Sequence, residues 1–367
     1  MGAMNELINP SALQRLESQL RASGSPDLPT LRAAAGQLDD LSLRERADHV
    51  SAALLADLPT SYVDVAALVR RALTRADFRG WTMWPIAETV VSAALADATP
   101  EAFDDGLELL GEITPRLTSE FSIRRLLAVH PDRALAAIQL WTQSDDEHVR
   151  RLASEGTRPF LPWAVRVPVL LKTPEATLPI LDALYRDESD YVRRSVANHL
   201  NDLARQNPSL VVETATRWLD APVDTTPQLV RHALRTLIKR GYTPALELMG
   251  FRAATVSVTA PVLDSLTVPL PGTLEFAFEV TNDGAEPAQL AIDYVVHYLK
   301  ANGTRAPKVF KLATPTVAPG ATVSVRKRHT FKQMTTRVHY SGTHTIEVQV
   351  NGERFGEVEF ELRDALQ

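Results

Sequence analysis

A helical region followed by a small antiparallel β-sandwich is the fold class this sequence predicts, and three observations carry it. Up to about residue 250, apolar residues recur at three- and four-residue spacing, as in Val65, Leu68 and Ala72 or Leu178, Leu181 and Leu184. From about Thr255 the period drops to two, with Leu274, Phe276, Phe278 and Val280 alternating with Glu275, Ala277, Glu279 and Thr281. Within the helical part, Val149-Arg150-Arg151, Val192-Arg193-Arg194 and Val230-Arg231-His232 stand 43 and 38 residues apart, the first two behind acidic turns. That is the period of two-helix units of the HEAT or armadillo kind. The expected architecture is an α-solenoid of HEAT-like repeats over 1–250 and an immunoglobulin-like β-sandwich over 255–367. An irregular helical bundle with coincidental triplets is the competing reading of the first part.

The later strands are marked by TVSVRK at 322–327, THTIEVQV at 343–350 and GEVEFEL at 356–362, with turn signals at Asn282-Asp283-Gly284, Asn302-Gly303 and Asn351-Gly352 between them. The strand spacing is that of an immunoglobulin-like domain without its cysteine pair.

Composition bounds the function. With 45% hydrophobic and 23% charged residues over 367 positions, the chain is globular and long enough for about two domains. It contains no cysteine, which excludes disulfides, a thiolate nucleophile and cysteine-ligated metals, and fits a reducing compartment. No apolar run reaches the roughly 18 residues of a bilayer span, and the start, MGAMNELINP, has no basic leader before an apolar stretch. A cytoplasmic protein without membrane contact is expected. A formal net charge of −6 means that any nucleic acid must be met by local basic patches.

Phosphate-loop, nucleophile-elbow and zinc-helix signatures are absent, and the nine histidines are scattered, with His130-Pro131-Asp132 reading as a turn. The polar residues concentrate in EHVRRLASEGTRPFLPW at 147–163 and YVRRSVANHLND at 191–202. On a helix, Arg151 and Glu155 share a face, as do Arg194, Asn198 and Asp202. The 43-residue offset maps Arg151 onto Arg194 and Glu155 onto Asn198, so neighbouring repeats would line one groove with carboxylates and arginines. The blander reading leaves Arg151 and Glu155 as an intrahelical pair worth roughly a few tenths of a kcal/mol and pairs Asp202 with Arg205. On that reading Trp163, behind the helix-stopping Pro159 and Pro162, packs between repeats rather than offering an aromatic face.

These stretches, with LTSEFSIRRLL at 117–127 and WTMWPIAETV at 81–90, resemble the AlkC branch of the HEAT-like-repeat DNA glycosylases over roughly residues 60–240. The resemblance implies a glycosylase of base excision repair that removes small cationic N-alkylated bases. Chief among them is 3-methyladenine, with 3-methylcytosine and 1-methyladenine as further candidates. The expected protein is a monomer acting on double-stranded DNA without metal or other cofactor, cytoplasmic and on the nucleoid when bound. Carried over residue by residue, Glu155 and Asp202 are the catalytic carboxylates, Glu120 is a third acidic member, and Trp163 and Asn198 contact base or sugar. How the carboxylates divide sugar, water and base between them stays open.

That activity makes chemical sense of the residues. A base methylated on a ring nitrogen is already cationic, so its bond to deoxyribose is weakened without a general acid. Carboxylates that stabilise an oxocarbenium-like sugar and orient water are then sufficient. They and an aromatic face also favour a cationic base over a neutral one.

Before residue 250 the only lysines are Lys172 and Lys239, which leaves little for Schiff-base chemistry and points to a monofunctional, water-using glycosylase, although arginine-rich composition accounts for the same scarcity. Arginine holds phosphates through paired donors, and Arg150, Arg151, Arg158, Arg193 and Arg194 are the candidates among the helices. In the β-domain, 294–346 carries nine basic residues, from Lys300 to Arg337 with Arg326, Lys327 and Arg328 in a row, and no Asp or Glu. It reads as an accessory clamp on the duplex or as an ordinary solvated sheet face. Two rival functions use the same residues: a non-catalytic HEAT-repeat scaffold for nucleic acid or protein, and a metal-dependent nuclease. A scaffold gains nothing from carboxylates beside phosphates, whereas a glycosylase needs them.

Overall fold

The computed structural model describes residues 4–332 and 338–364. The chain divides into two compact units, Met1–Asn207 with Trp218–Ala233, and Pro208–Arg217 with Leu234–Gln367.

The first unit is helical throughout. Its helices begin where the sequence supplies caps: Asn9 accepts from the Ala12 amide at 2.8 Å, Ser42 and Glu45 form a reciprocal capping box, and prolines open the Pro10–Ala22, Pro100–Ile113 and Pro131–Trp141 helices. Among the described residues no single helix is long and apolar enough to cross a membrane.

The 43-residue repeat is a repeat of hydrogen bonds. Arg150 Nη1 donates to the carbonyls of Ser144 at 2.9 Å and Asp145 at 3.0 Å, and Arg193 Nη1 donates to those of Asp187 at 2.6 Å and Glu188 at 2.7 Å, each 43 positions on. The turn itself repeats, with the Asp146 amide on Ser144 Oγ at 3.2 Å and the Ser189 amide on Asp187 Oδ1 at 2.9 Å. Arg150 and Arg193 therefore fold back to fasten the acidic turn ahead of their own helices.

Two of these helices carry the polar stretches. In Glu147–Gly156, Asp146 caps the start through its bond from the His148 amide at 2.7 Å, and Glu147 adds the negative charge a helix N-terminus favours. At its other end a Cβ on Gly156 would lie 2.9 Å from Ile123 Cγ2, so glycine allows the close approach of the Ile123–Val129 helix. In Asp190–Leu203, the buried Val192, Val196, Leu200 and Leu203 are interleaved with buried Ser195, His199 and Asp202.

Among the described residues the second unit contains the Arg235–Lys239 and Thr243–Leu248 helices and eleven strands. One sheet orders β3 (Thr267–Leu270), β11 (Glu353–Asp364), β10 (Gly342–Val350), β6 (Ile292–Leu299) and β7 (Arg305–Ala313). In the other, β4 (Gly272–Asn282) pairs along its length with β9 (Thr322–Phe331) and, on its other edge, with β1 (Val256–Val258) and β2 (Val262–Leu263) in succession. A short ladder joins β5 (Ala288–Gln289) to β8 (Thr316–Val317). The alternation expected in β4 is present: Leu274, Phe276, Phe278 and Val280 face the core with Ile292, Tyr294, Ile346, Val348 and Phe360.

Strand β10 departs from half-burial, because Thr345, Glu347 and Gln349 are buried as well. Glu347 accepts from Arg354 at 2.6 Å, and Gln349 donates to the Lys239 carbonyl at 3.2 Å, so partners cover this outer face. Residues 250–255 lie inside this unit. Its last helices dock where Gly241 and Gly352, both at positive φ, meet backbone to backbone, and a Cβ on either would come within 2.7 Å of the other.

Candidate active site

Three carboxylates and two guanidiniums from three chain segments form one buried network. Arg158 donates Nη1 to Glu155 Oε1 at 2.6 Å and Nε to Asp202 Oδ2 at 2.9 Å. Arg151 donates Nη1 to Glu120 Oε2 at 2.5 Å, and its Nη2 lies 3.5 Å from Glu155 Oε1. Thr118 Oγ1 donates to the same oxygen of Glu120 at 2.9 Å, and Ser195 Oγ donates to Glu155 Oε2 at 2.6 Å. The Glu155 and Asp202 side chains are 7% and 6% exposed. At that burial an ion pair is no solvated ornament, since removing one partner strands the other.

Burial alone would pull the Arg158 guanidinium down, and Glu155 and Asp202 more than reverse this, holding it above its ordinary value. For Arg151, burial is again opposed by Glu120 and Glu155, and the outcome is again upward. Arg124 goes the other way. Fully buried, it donates to the carbonyls of Val165 at 2.6 Å, Arg158 at 2.7 Å and Gly156 at 3.0 Å, and burial with neighbouring Arg166 and Arg158 pushes it down to about 10. It fastens the end of the helix that carries Glu155.

The simple intrahelical pair is thus replaced by a network in which Arg151 reaches both Glu120 and Glu155. Asp202 pairs with Arg158 rather than Arg205, whose guanidinium stacks 4.6 Å from the Phe160 ring centroid. Asn198 is directed to His232, 2.9 Å from its Nε2.

Trp163 was to pack between repeats on the blander reading, and the structure corrects this. The residue is 68% exposed on a left-handed backbone with φ 63°. Its loop is fastened by Arg124 on Val165 and by Arg166 on Leu161 at 3.2 Å.

The five arginines expected at phosphates differ in how far they are covered. Arg150 is buried in a two-pronged pair with Asp187, at 2.7 and 3.1 Å, in addition to its turn carbonyls. Arg158 lies inside the carboxylate network, Arg193 is committed to two carbonyls, and Arg151 is mostly covered. Arg194 is different: its side chain is 65% exposed and pairs with Asp190 at the surface.

In the β-domain, consecutive strand residues face opposite sides, so Arg326 and Arg328 share a face that Lys327 does not. Arg328 pairs with its cross-strand neighbour Glu275, and Arg305 with Glu359 at 3.0 Å. A sequence interval free of acids is therefore met by acids from other strands. Arg337 lies outside the described residues.

Sequence reasoning passed over Ser195, Thr118 and Arg124. It also passed over Glu88, a buried carboxylate 3.2 Å from Trp84 Nε1, whose indole stacks on Phe121 beside Glu120. Ser195 was the most legible of these, because Ser195, His199 and Asp202 form a polar stripe at i, i+4 and i+7 on a face otherwise apolar.

The chain is similar to known proteins over both its helical and its β regions. Residues 117–237, which hold the whole network, match the family model described as DNA alkylation repair enzyme. Residues 257–364 match the C-terminal Ig-like domain of protein YhaZ. YhaZ of Bacillus subtilis (strain 168) is 34% identical over 99% of this chain and 100% of its own length. The Pseudomonas fluorescens alkylpurine DNA glycosylase AlkC, solved bound to DNA containing an abasic site analog, is 37% identical over 99% of this chain and 100% of that one, with a TM-score of 0.89.

The chain belongs to the AlkC and YhaZ family of DNA alkylation repair proteins. Its helical region followed by an Ig-like sandwich is the AlkC fold, and Glu120, Glu155 and Asp202 all fall within the family's DNA alkylation repair domain.

Proposed function

We propose that this chain is a monofunctional DNA glycosylase that hydrolyses the N-glycosidic bond of small cationic N-alkylated bases in duplex DNA, chiefly 3-methyladenine, with 3-methylcytosine and 1-methyladenine as further substrates. The observation that carries the reading is the joint burial of Glu155 and Asp202 on one guanidinium, inside a domain shared with alkylation repair enzymes.

As the bond from C1′ to the base breaks, its electron pair leaves with the base, which departs neutral because it began as a cation. The sugar acquires oxocarbenium character, water adds to C1′, and the water proton passes to a carboxylate. Glu155 has donors on both oxygens and serves as the fixed negative charge beside the sugar. Asp202 receives Arg158 on Oδ2 and, among the described residues, no hydrogen bond on Oδ1, so it is the acceptor for the water proton. Glu120 tethers Arg151 and adds negative potential for a cationic base.

Trp163 offers its exposed ring to base or sugar, and Asn198 lies on the same helix as Asp202. Arg194 and the basic residues of β9 are the phosphate contacts, with the Ig-like unit as an accessory clamp. The protein works as a monomer, without metal, on cytoplasmic DNA.

The deciding experiment is release of free base from methylated duplex in EDTA. Free 3-methyladenine with an intact strand supports the proposal; binding without release returns the chain to a scaffold, and EDTA-sensitive strand cleavage to a nuclease.

A further inference from the structure

We infer that Ser195 is a positioning residue for the active site, setting the plane of the Glu155 carboxylate from the neighbouring helix. The inference rests on the reading of Glu155 as the charge that stabilises the sugar. Both guanidiniums near Glu155 address the same oxygen: Arg158 is 2.6 Å and Arg151 3.5 Å from Oε1. A carboxylate held by one oxygen can still turn about its terminal bond. The hydrogen bond on Oε2 comes from Ser195 at 2.6 Å, and it closes that freedom.

Ser195 is itself buried and fixed. Its Oγ is hydrogen-bonded with the buried Ser154 Oγ at 3.0 Å, and the Ser154 carbonyl accepts from His199 Nδ1 at 2.9 Å. His199 lies one turn beyond Ser195 and is anchored again by Thr177 Oγ1, 3.1 Å from Nε2. Ser195 and Asp202 stand on one helix, Ser154 and Glu155 on the next, so this hydroxyl ties the two carboxylates into one geometry. A misplacement of about 1 Å at such a group lowers rate far more than binding.

The test is a double-mutant cycle on single-turnover excision of 3-methyladenine from duplex, with affinity for abasic-analogue duplex measured alongside. Ser195→Ala is expected to slow excision at least fivefold without changing that affinity. Placed in a Glu155→Gln background, it is expected to add no further loss, because the group it positions has gone. A general packing defect would slow both backgrounds alike, so an additive cycle overturns the inference. A wild-type rate in Ser195→Ala, with Glu155→Gln impaired, overturns it too and leaves the catalytic reading of Glu155 standing. A wild-type rate in Glu155→Gln overturns both.

Discussion

Glu155 and Asp202 sit on different helices and share a single guanidinium, that of Arg158, at 2.6 and 2.9 Å. The two carboxylates would otherwise repel across a poorly solvated gap, and the shared cation turns this into a fixed arrangement. Breaking such a buried bridge typically costs about 3–5 kcal/mol. Arg158→Ala is therefore expected to lower the urea unfolding free energy by about that amount, and Arg158→Lys, which keeps the charge but loses the fork, by less. Equal stability of Arg158→Ala and wild type would mean that the bridge is replaceable by water.

The repeated arginines separate into fasteners and candidates for DNA. Arg194→Ala should lower the slope of log affinity against log salt by about 1, the share of one phosphate contact. Arg150→Ala, whose guanidinium is closed in by Asp187 and two carbonyls, should leave the slope alone and lower stability instead. Salt titrations of duplex binding distinguish them, and a changed slope in Arg150→Ala would show that its turn opens on DNA.

His199 gives stability a defined dependence on acid. Burial pushes its imidazole down to about 3, below its ordinary 6.5, with the Ser154 carbonyl working against the shift. The unfolded chain therefore takes up the proton first, so the contribution is complete above about 6.5 and fades as pH falls toward 3, at up to about 1.4 kcal/mol per unit. Asp293, raised to about 6 by burial, acts in the opposite sense but equally in wild type and variant. The gap in unfolding free energy between wild type and His199→Gln should narrow from pH 7 to pH 4.5, and a constant gap would remove His199 as the source.

The Ig-like unit should depend on the helices ahead of its first strand. A fragment of 234–367 is expected to melt at a higher temperature than one of 255–367, which lacks Gly241 and the carbonyl of Lys239. Gly241→Ala should destabilise the longer fragment, since it meets both a positive φ of 71° and the backbone of Gly352. Identical melting of the two fragments would place the domain boundary after residue 250.

Much of this was legible in the chain itself, and particular residues show where legibility stops. Alternation over Leu274 to Val280 fixes a strand because its period has one solution. The 43-residue spacing of the triplets is legible because the same turn is built twice. The fate of each arginine is not: Arg150 and Arg193 look like a basic groove until their turns fold back onto them. The same holds for 294–346, whose missing acids arrive from other strands, Glu275 of β4 through register with Arg328 and Glu359 of β11 by pairing with Arg305. Trp163 was hidden for another reason, since exposure of an aromatic on a left-handed backbone is decided by the loop and the arginines behind it.

The most direct test of the carboxylate account is the single-turnover excision rate of 3-methyladenine from duplex by wild type, Glu155→Gln and Asp202→Asn, with DNA affinity measured in parallel. Each substitution keeps the shape and removes one negative charge. Each should slow excision more than about tenfold, a loss above ~1.4 kcal/mol of transition-state stabilisation, while affinity is kept or rises. Wild-type rates in both folded variants would contradict the account.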